Sequence, residues 1–196
     1  MTYPFIVFEG VDGAGKSTVS RRVADRLGAL HLESPVNEFR KIRGFVENTL
    51  CEKGKLFYYL ASNFELSSHV RESRLIQPVV CARYFRSTLI GHASRKYLDV
   101  EDFCETIPVS SGDFERPDLT IFLSLSEDAQ RERISSRGAS HNSKKDHRCL
   151  DDSVYRGYLF RNYAAVARRE GWLVIDTTSM TEESVVDACV ERILGL

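Results

Sequence analysis

An apolar run, Phe5-Ile6-Val7-Phe8, leads into "GVDGAGKST" at residues 10–18, and a helical pattern opens at Lys16. Gly10-x-x-x-x-Gly15-Lys16-Ser17 between a strand and a helix is the pattern of a phosphate-binding loop, and it commits the chain to a parallel α/β architecture. Glycines let successive backbone N–H groups turn inward around an anion, and the helix start adds its partial positive charge. Lys16 is placed to reach the β- and γ-phosphates of ATP, and the Ser17 hydroxyl to ligate Mg2+. Gly10, Asp12, Gly13, Ala14, Gly15, Lys16, Ser17 and Thr18 are therefore the candidate nucleotide-binding residues. With every fixed position matched and both flanks right, a glycine-rich turn that binds nothing is the weaker reading.

Short apolar runs alternate with helical patterns along the rest of the chain, which argues for parallel strands joined by crossover helices. Strands are expected near 5–9, 29–32, 78–81, 118–123 and 172–176, and helices near 16–27, 36–52, 55–76, 84–97, 99–108, 126–137, 152–170 and 181–194. The first strand is too apolar on both faces to be an edge. At 196 residues, 42% of them hydrophobic, the chain suits a single P-loop α/β domain over 1–196 with a sizeable core. Residues 138–150, "GASHNSKKDHRCL", are polar and basic without an apolar period, the composition of a mobile lid within that domain rather than a packed element.

Composition excludes several classes. Lys+Arg at 27 against Asp+Glu at 28 gives a net charge of -1 with no basic tail, which argues against nucleic acid as a main partner. No run approaches the ~18 apolar residues of a membrane span, and the N-terminus is too short in apolar residues for a signal segment. The five cysteines are spread widely with no C-x-x-C spacing, so they read as reduced thiols of a cytoplasmic protein.

A phosphate loop alone does not separate kinases from GTPases or hydrolytic ATPases. No N-K-x-D stretch is present, and no apolar strand ends in an acidic pair. Instead Arg131, Arg133, Arg137, Lys144, Lys145 and Arg148 crowd the segment that leads out of a helix into the lid. Phosphoryl transfer needs cations around the equatorial oxygens and exclusion of water, and a closing basic lid supplies both. Transfer to a bound acceptor is thus favoured over hydrolysis. Any one of these cations also fits an ordinary solvated helix face; Arg137 and Arg148, which bracket the lid, are the catalytic candidates.

"FIVFEGVDGAGKST", "RYFRSTLIGHAS", "RPDLTIFLSLSEDAQRERISSRG" and "GWLVIDTT" follow in the order and spacing of thymidylate kinases. Over nearly its whole length the chain resembles that family of P-loop kinases, a group that also looks like deoxynucleoside kinases. The resemblance implies a five-stranded parallel sheet of order 2-3-1-4-5 wrapped by helices, ATP with Mg2+ as donor, a small-molecule nucleotide or nucleoside acceptor, and a homodimer. It implies that Asp12 addresses the sugar 3'-hydroxyl of the acceptor. Ala14 stands where some members carry a loop arginine, so the catalytic arginine is expected from the lid.

The acceptor side departs from the family. Ala82-Arg83-Tyr84 replaces Asp-Arg-Tyr, leaving Arg83 for the acceptor phosphate but removing a carboxylate. An already ionised phosphate acceptor tolerates that loss, whereas a hydroxyl acceptor needs a base. Glu33 or Ser34 occupies the place of a phosphate-gripping arginine, and Glu33-Ser34-Pro35-Val36 resembles the stretch whose glutamate deprotonates a sugar hydroxyl in deoxynucleoside kinases. Arg40, Lys41 and Arg43 on the next helix are placed to rebuild a phosphate grip, or to form a solvated basic face. Phe57 or Tyr59 is the expected base-stacking ring, with core packing as the alternative, while Asn63 and His92 stand where the family reads thymine. The expected function is transfer of the γ-phosphate of ATP to a nucleoside monophosphate, dTMP or an analogue. Lys16, Arg83, Arg137 and Arg148 carry the chemistry, and Asp12, Arg40, Phe57, Tyr59, Asn63, Arg83 and His92 hold the acceptor. Glu33 would favour a nucleoside or other hydroxyl kinase with itself as catalytic base; Ala82 would favour a catalytically weak nucleotide-binding regulator.

Overall fold

The computed structural model describes residues 2–136 and 144–195. Five strands, β1 (Phe5–Glu9), β2 (Leu30–Glu33), β3 (Val79–Ala82), β4 (Leu119–Ser124) and β5 (Leu173–Asp176), form one parallel sheet in the order β2-β3-β1-β4-β5. Each lies within one residue of its expected position. β1 is central and every one of its residues is buried, the reason its sequence is apolar on both faces.

The helices are α1 (Lys16–Leu27), α2 (Asn37–Thr49), α3 (Glu52–Ser73), α4 (Phe85–Arg95), α5 (Val100–Glu105), α6 (Glu127–Ser135), α7 (Lys144–Asp151), α8 (Ser153–Glu170) and α9 (Glu182–Leu194). From β1 the chain crosses to the β2 edge and then works back through β3, β4 and β5. With right-handed crossovers this reversal sends α1 to one face and α3, α4 and α8 to the other. Accordingly α1 packs on α9, and α4 packs on α3 and α8. The reversal also opens a crevice at the carboxyl ends of β1 and β3, where open α/β sheets bind ligands. None of the described helices is long and apolar enough to cross a membrane.

Two expectations need correction. The helix expected over 36–52 stops at Thr49, because Leu50 and Cys51 take extended backbone angles, and α3 starts afresh at Glu52, whose acid suits a first turn. The basic stretch 138–150 is not uniformly without packed structure: its second half belongs to α7, where Cys149 is buried and Leu150 packs on the core. Ala139 and the adjacent Cys149 and Leu150 are the apolar residues of the thirteen, too few to show a helical period, so only packing reveals this helix.

Candidate active site

The loop after β1 is shaped by close contact. Gly10 has φ +148, and a Cβ there would lie 2.4 Å from the Leu123 carbonyl oxygen of β4, so no side chain fits. Gly13 and Gly15 continue the turn at φ +94 and +84. No side chain caps α1, leaving its leading N–H groups for an anion. Lys16 is 3% exposed and donates to the Val11 carbonyl oxygen at 2.6 Å. Half-buried Ser17 and exposed Thr18 follow in the first turn of α1. This cradle fits a polyphosphate, and the hydroxyl of Ser17 is the kind of hard oxygen donor that Mg2+ takes.

α6 braces the loop from outside. Gln130 Nε2 donates to the Asp12 carbonyl oxygen at 2.9 Å, and Arg133 reaches the Gly13 carbonyl at 3.4 Å and the Thr177 hydroxyl at 3.1 Å. Arg133, read from the sequence as one of the lid-side cations, is thus engaged in holding the loop to the segment after β5.

Beside the loop lies a cavity of about 210 Å3. Gly10, Val11 and Asp12 form its near end, Ser87, Thr88, Gly91, His92 and Arg95 of α4 one wall, and Arg43, Tyr59, Tyr155, Leu159 and Tyr163 the remainder, with Ser34 and Pro35. Arg83 stands between loop and cavity. Its backbone takes φ +66, unusual for a side-chain-bearing residue, and is held there by donation to the Phe8 carbonyl at 2.9 Å. This turn brings its guanidinium onto Asp12 Oδ1 at 2.7 Å.

Glu9 lies one residue beyond Phe8, the register partner of Ala82. It accepts from the Tyr84 N–H at 3.0 Å and from the Ser87 hydroxyl, which in turn sits 3.2 Å from the Tyr163 hydroxyl. Burial pushes its carboxyl up to about 7, against the opposing pull of those hydrogen bonds and of Lys16 and Arg83.

The expected acceptor residues divide. Tyr59 and His92 line the cavity, their ring centroids 6.2 Å apart. Phe57 does not: two positions along α3 turn it to solvent, 45% exposed. Asn63 lies behind the wall, fully buried, accepting from the Ser34 hydroxyl at 3.0 Å and donating to the Tyr59 carbonyl and the Thr88 hydroxyl at 2.8 and 2.9 Å. Glu33 and Arg40 also stand off the cavity, paired at 3.2 Å, with Arg21 a further 3.5 Å partner of Glu33. Arg43, nearly one turn after Arg40, takes the cavity position instead. Arg137 lies outside the described residues. Arg148 of α7 stacks over the ring of Tyr155, 5.5 Å to its centroid, and so backs the cavity wall.

Sequence reading missed Arg95, Ser87, Tyr155 and Tyr163. A signal existed for α4: counting onward from Arg83, positions 87–88, 91–92 and 95 recur at helical spacing and fall on one face.

Two ligand sites that meet across Arg83 and Asp12, one of them a phosphate cradle, suit the passage of a phosphoryl group between two bound molecules. The class is that of the P-loop nucleotide kinases, ATP-dependent phosphotransferases. The profile of the thymidylate kinase family matches residues 8–188, and the chain belongs to that family. It is 27% identical over 194 residues to a probable thymidylate kinase of Methanococcus maripaludis, covering 97% of this chain and 94% of the relative. A thymidylate kinase of Desulfovibrio desulfuricans is 28% identical over 202 residues, covering 93% and 91%. Among solved structures, thymidylate kinase from Candida albicans superposes with a TM-score of 0.78 at 17% identity over 99% of this chain and 92% of its own. That from Ehrlichia chaffeensis gives 0.69 at 17% identity, over 98% and 100%.

Proposed function

We propose that this kinase transfers the γ-phosphoryl group of ATP to a nucleoside monophosphate, dTMP or a close analogue. The Arg83–Asp12 pair carries the reading, because it sets a guanidinium where an acceptor phosphate in the cavity would face the γ-phosphate on the loop. Lys16 and the N–H groups of residues 13–18 hold the donor phosphates, and Ser17 would hold Mg2+, which would supply charge neutralisation at the transferred phosphoryl group. An acceptor phosphate oxygen attacks the γ-phosphorus as the bond to the β–γ bridging oxygen breaks, and ADP leaves. That oxygen is ionised at neutral pH, so the step needs no base and tolerates Ala82.

Asp12 addresses the acceptor sugar, Tyr59 and His92 the base, and Arg43 replaces Arg40 as the second cation of the acceptor site. Arg137 and Arg148, with the segment between them as a lid, supply further positive charge. The hydroxyl-acceptor alternative required Glu33 to face the acceptor, and Glu33 is instead held by Arg21 and Arg40. Five free cysteines support a reducing compartment such as the cytoplasm, and exposed Phe57 and Phe64 on α3 support a homodimer.

ATP consumption against deoxynucleosides and their monophosphates, with products identified by mass, tests this reading. Diphosphate product from dTMP or another monophosphate, lost in Lys16→Met, supports it. Product only from nucleosides overturns it; ATP binding with no product from either class would favour the regulator.

A further inference from the structure

Arg156 of α8 is 6% exposed and does not line the cavity. Its Nη1 donates to the Cys149 carbonyl oxygen at 2.7 Å and to that of Leu150 at 3.4 Å. These belong to the last four carbonyls of α7, which a helix leaves without partners of its own. Its Nε donates to Glu127 Oε2 at 3.0 Å, in the first turn of α6. One buried side chain thus clasps the end of α7 to the start of α6.

Both helices bear on the site. α6 braces the phosphate loop through Gln130, which donates to the Asp12 carbonyl oxygen. α7 carries Arg148, whose guanidinium lies over the Tyr155 ring at the cavity wall and whose own carbonyl accepts from the Asp152 N–H at 3.0 Å. Asp152 in turn caps α8, accepting from the Tyr155 N–H at 2.8 Å. The carbonyl that follows Arg148 is the one Arg156 holds, so the backbone around Arg148 is fixed to α8 and, through Glu127, to the helix that braces the loop. Burying a guanidinium is costly, and an apolar side chain of similar volume commonly serves stability as well. What an apolar side chain lacks is direction, because only the planar guanidinium joins carbonyls on one side to a carboxylate on the other.

We propose that Arg156 is a positioning residue of the transfer reaction, fixing the end of α7 to α6 so that the Arg148 guanidinium keeps its place at the cavity wall relative to the braced phosphate loop. This inference rests on the kinase reading of the site and on Arg148 as one of its cations.

Cys149 is buried at the clasp, whereas Cys81 in β3 and Cys189 in α9 are buried elsewhere. Maleimide labelling of the native protein, resolved peptide by peptide by mass, therefore reports on α7 separately from the rest of the core. The variants are Arg156→Met, Arg156→Lys and Glu127→Ala, the last removing a partner that is 50% exposed. In Arg156→Met and Glu127→Ala, Cys149 should label about 10-fold faster with Cys81 and Cys189 unchanged. For dTMP as acceptor, kcat should fall about 10-fold in Arg156→Met with the KM for ATP nearly unchanged, and Arg156→Lys should recover part of the loss. Arg148→Ala combined with Arg156→Met should be no slower than Arg148→Ala alone, since the one acts through the other. Unchanged Cys149 labelling, equal acceleration at all three thiols, or kcat losses that multiply in the double variant would overturn the proposal. A wild type that binds ATP yet transfers nothing brings down the transfer reading and this role with it, and the labelling ratio shows separately whether the clasp holds α7.

Discussion

Glu9 and Gly91 place opposite demands on the chain. Buried Glu9 keeps its proton to about 7, whereas the unfolded carboxyl releases it near 4.5. Between those values the folded state binds more protons than the unfolded state, so stability falls as pH rises through that window and this group adds no further change above it. The effect is of order 1–3 kcal/mol. Urea unfolding at pH 5 and pH 8 should therefore find Glu9→Gln more stable than wild type at pH 8 and similar to it at pH 5. Gly91 sits in a helix interior with ordinary dihedrals and open space around its missing Cβ. Gly91→Ala is expected to stabilise the fold by about 0.5–1 kcal/mol in the same assay while raising the acceptor KM, since the methyl group enters the cavity.

At the scale of elements, what was legible followed local periodicity. β1, the loop and α1 could be placed because an unbroken apolar run, glycine spacing and a helical stripe all occur within one short window. The acceptor wall could not. Tyr59 and Asn63 are one turn apart on α3, equally apt as base readers by sequence, yet one faces the cavity and the other is tied to Ser34 and Thr88. That difference depends on how α3 meets α4 and the exit of β2, contacts with no local signature. Arg40 and Arg43 were separated in the same way, by the pull of Glu33 on one of them. Because Asn63 joins three elements, Asn63→Ala should lower stability by about 1–3 kcal/mol, measured as the shift in urea midpoint, with little change in acceptor preference. A loss of base preference without loss of stability would return Asn63 to the reading role.

For the molecule as a whole, the apolar surface is uneven. Ile42 and Phe45 on α2 and Phe57 and Phe64 on α3 are 41–62% exposed, each pair three or seven residues apart and so on one face of its helix. These helices pack against each other. Such a patch on adjacent helices suits a second copy of the chain. Light scattering during size exclusion should give twice the 22.3 kDa chain mass, and Phe57→Asp with Phe64→Asp should return it to the single value. A wild type that elutes as one chain would remove the dimer from the proposed function.

The contact between Lys16 and the Val11 carbonyl bears on which anions the loop retains. The ammonium has three N–H donors, so a ligand offering a single oxygen adds one charged acceptor beside the Val11 carbonyl without displacing it. A ligand offering several oxygens also engages the N–H groups that follow along the turn, none of which the lysine contact competes for. A chain of linked phosphates thus meets more of the loop's donors than a compact anion does, so the loop is shaped for the length of its ligand as well as for its sign.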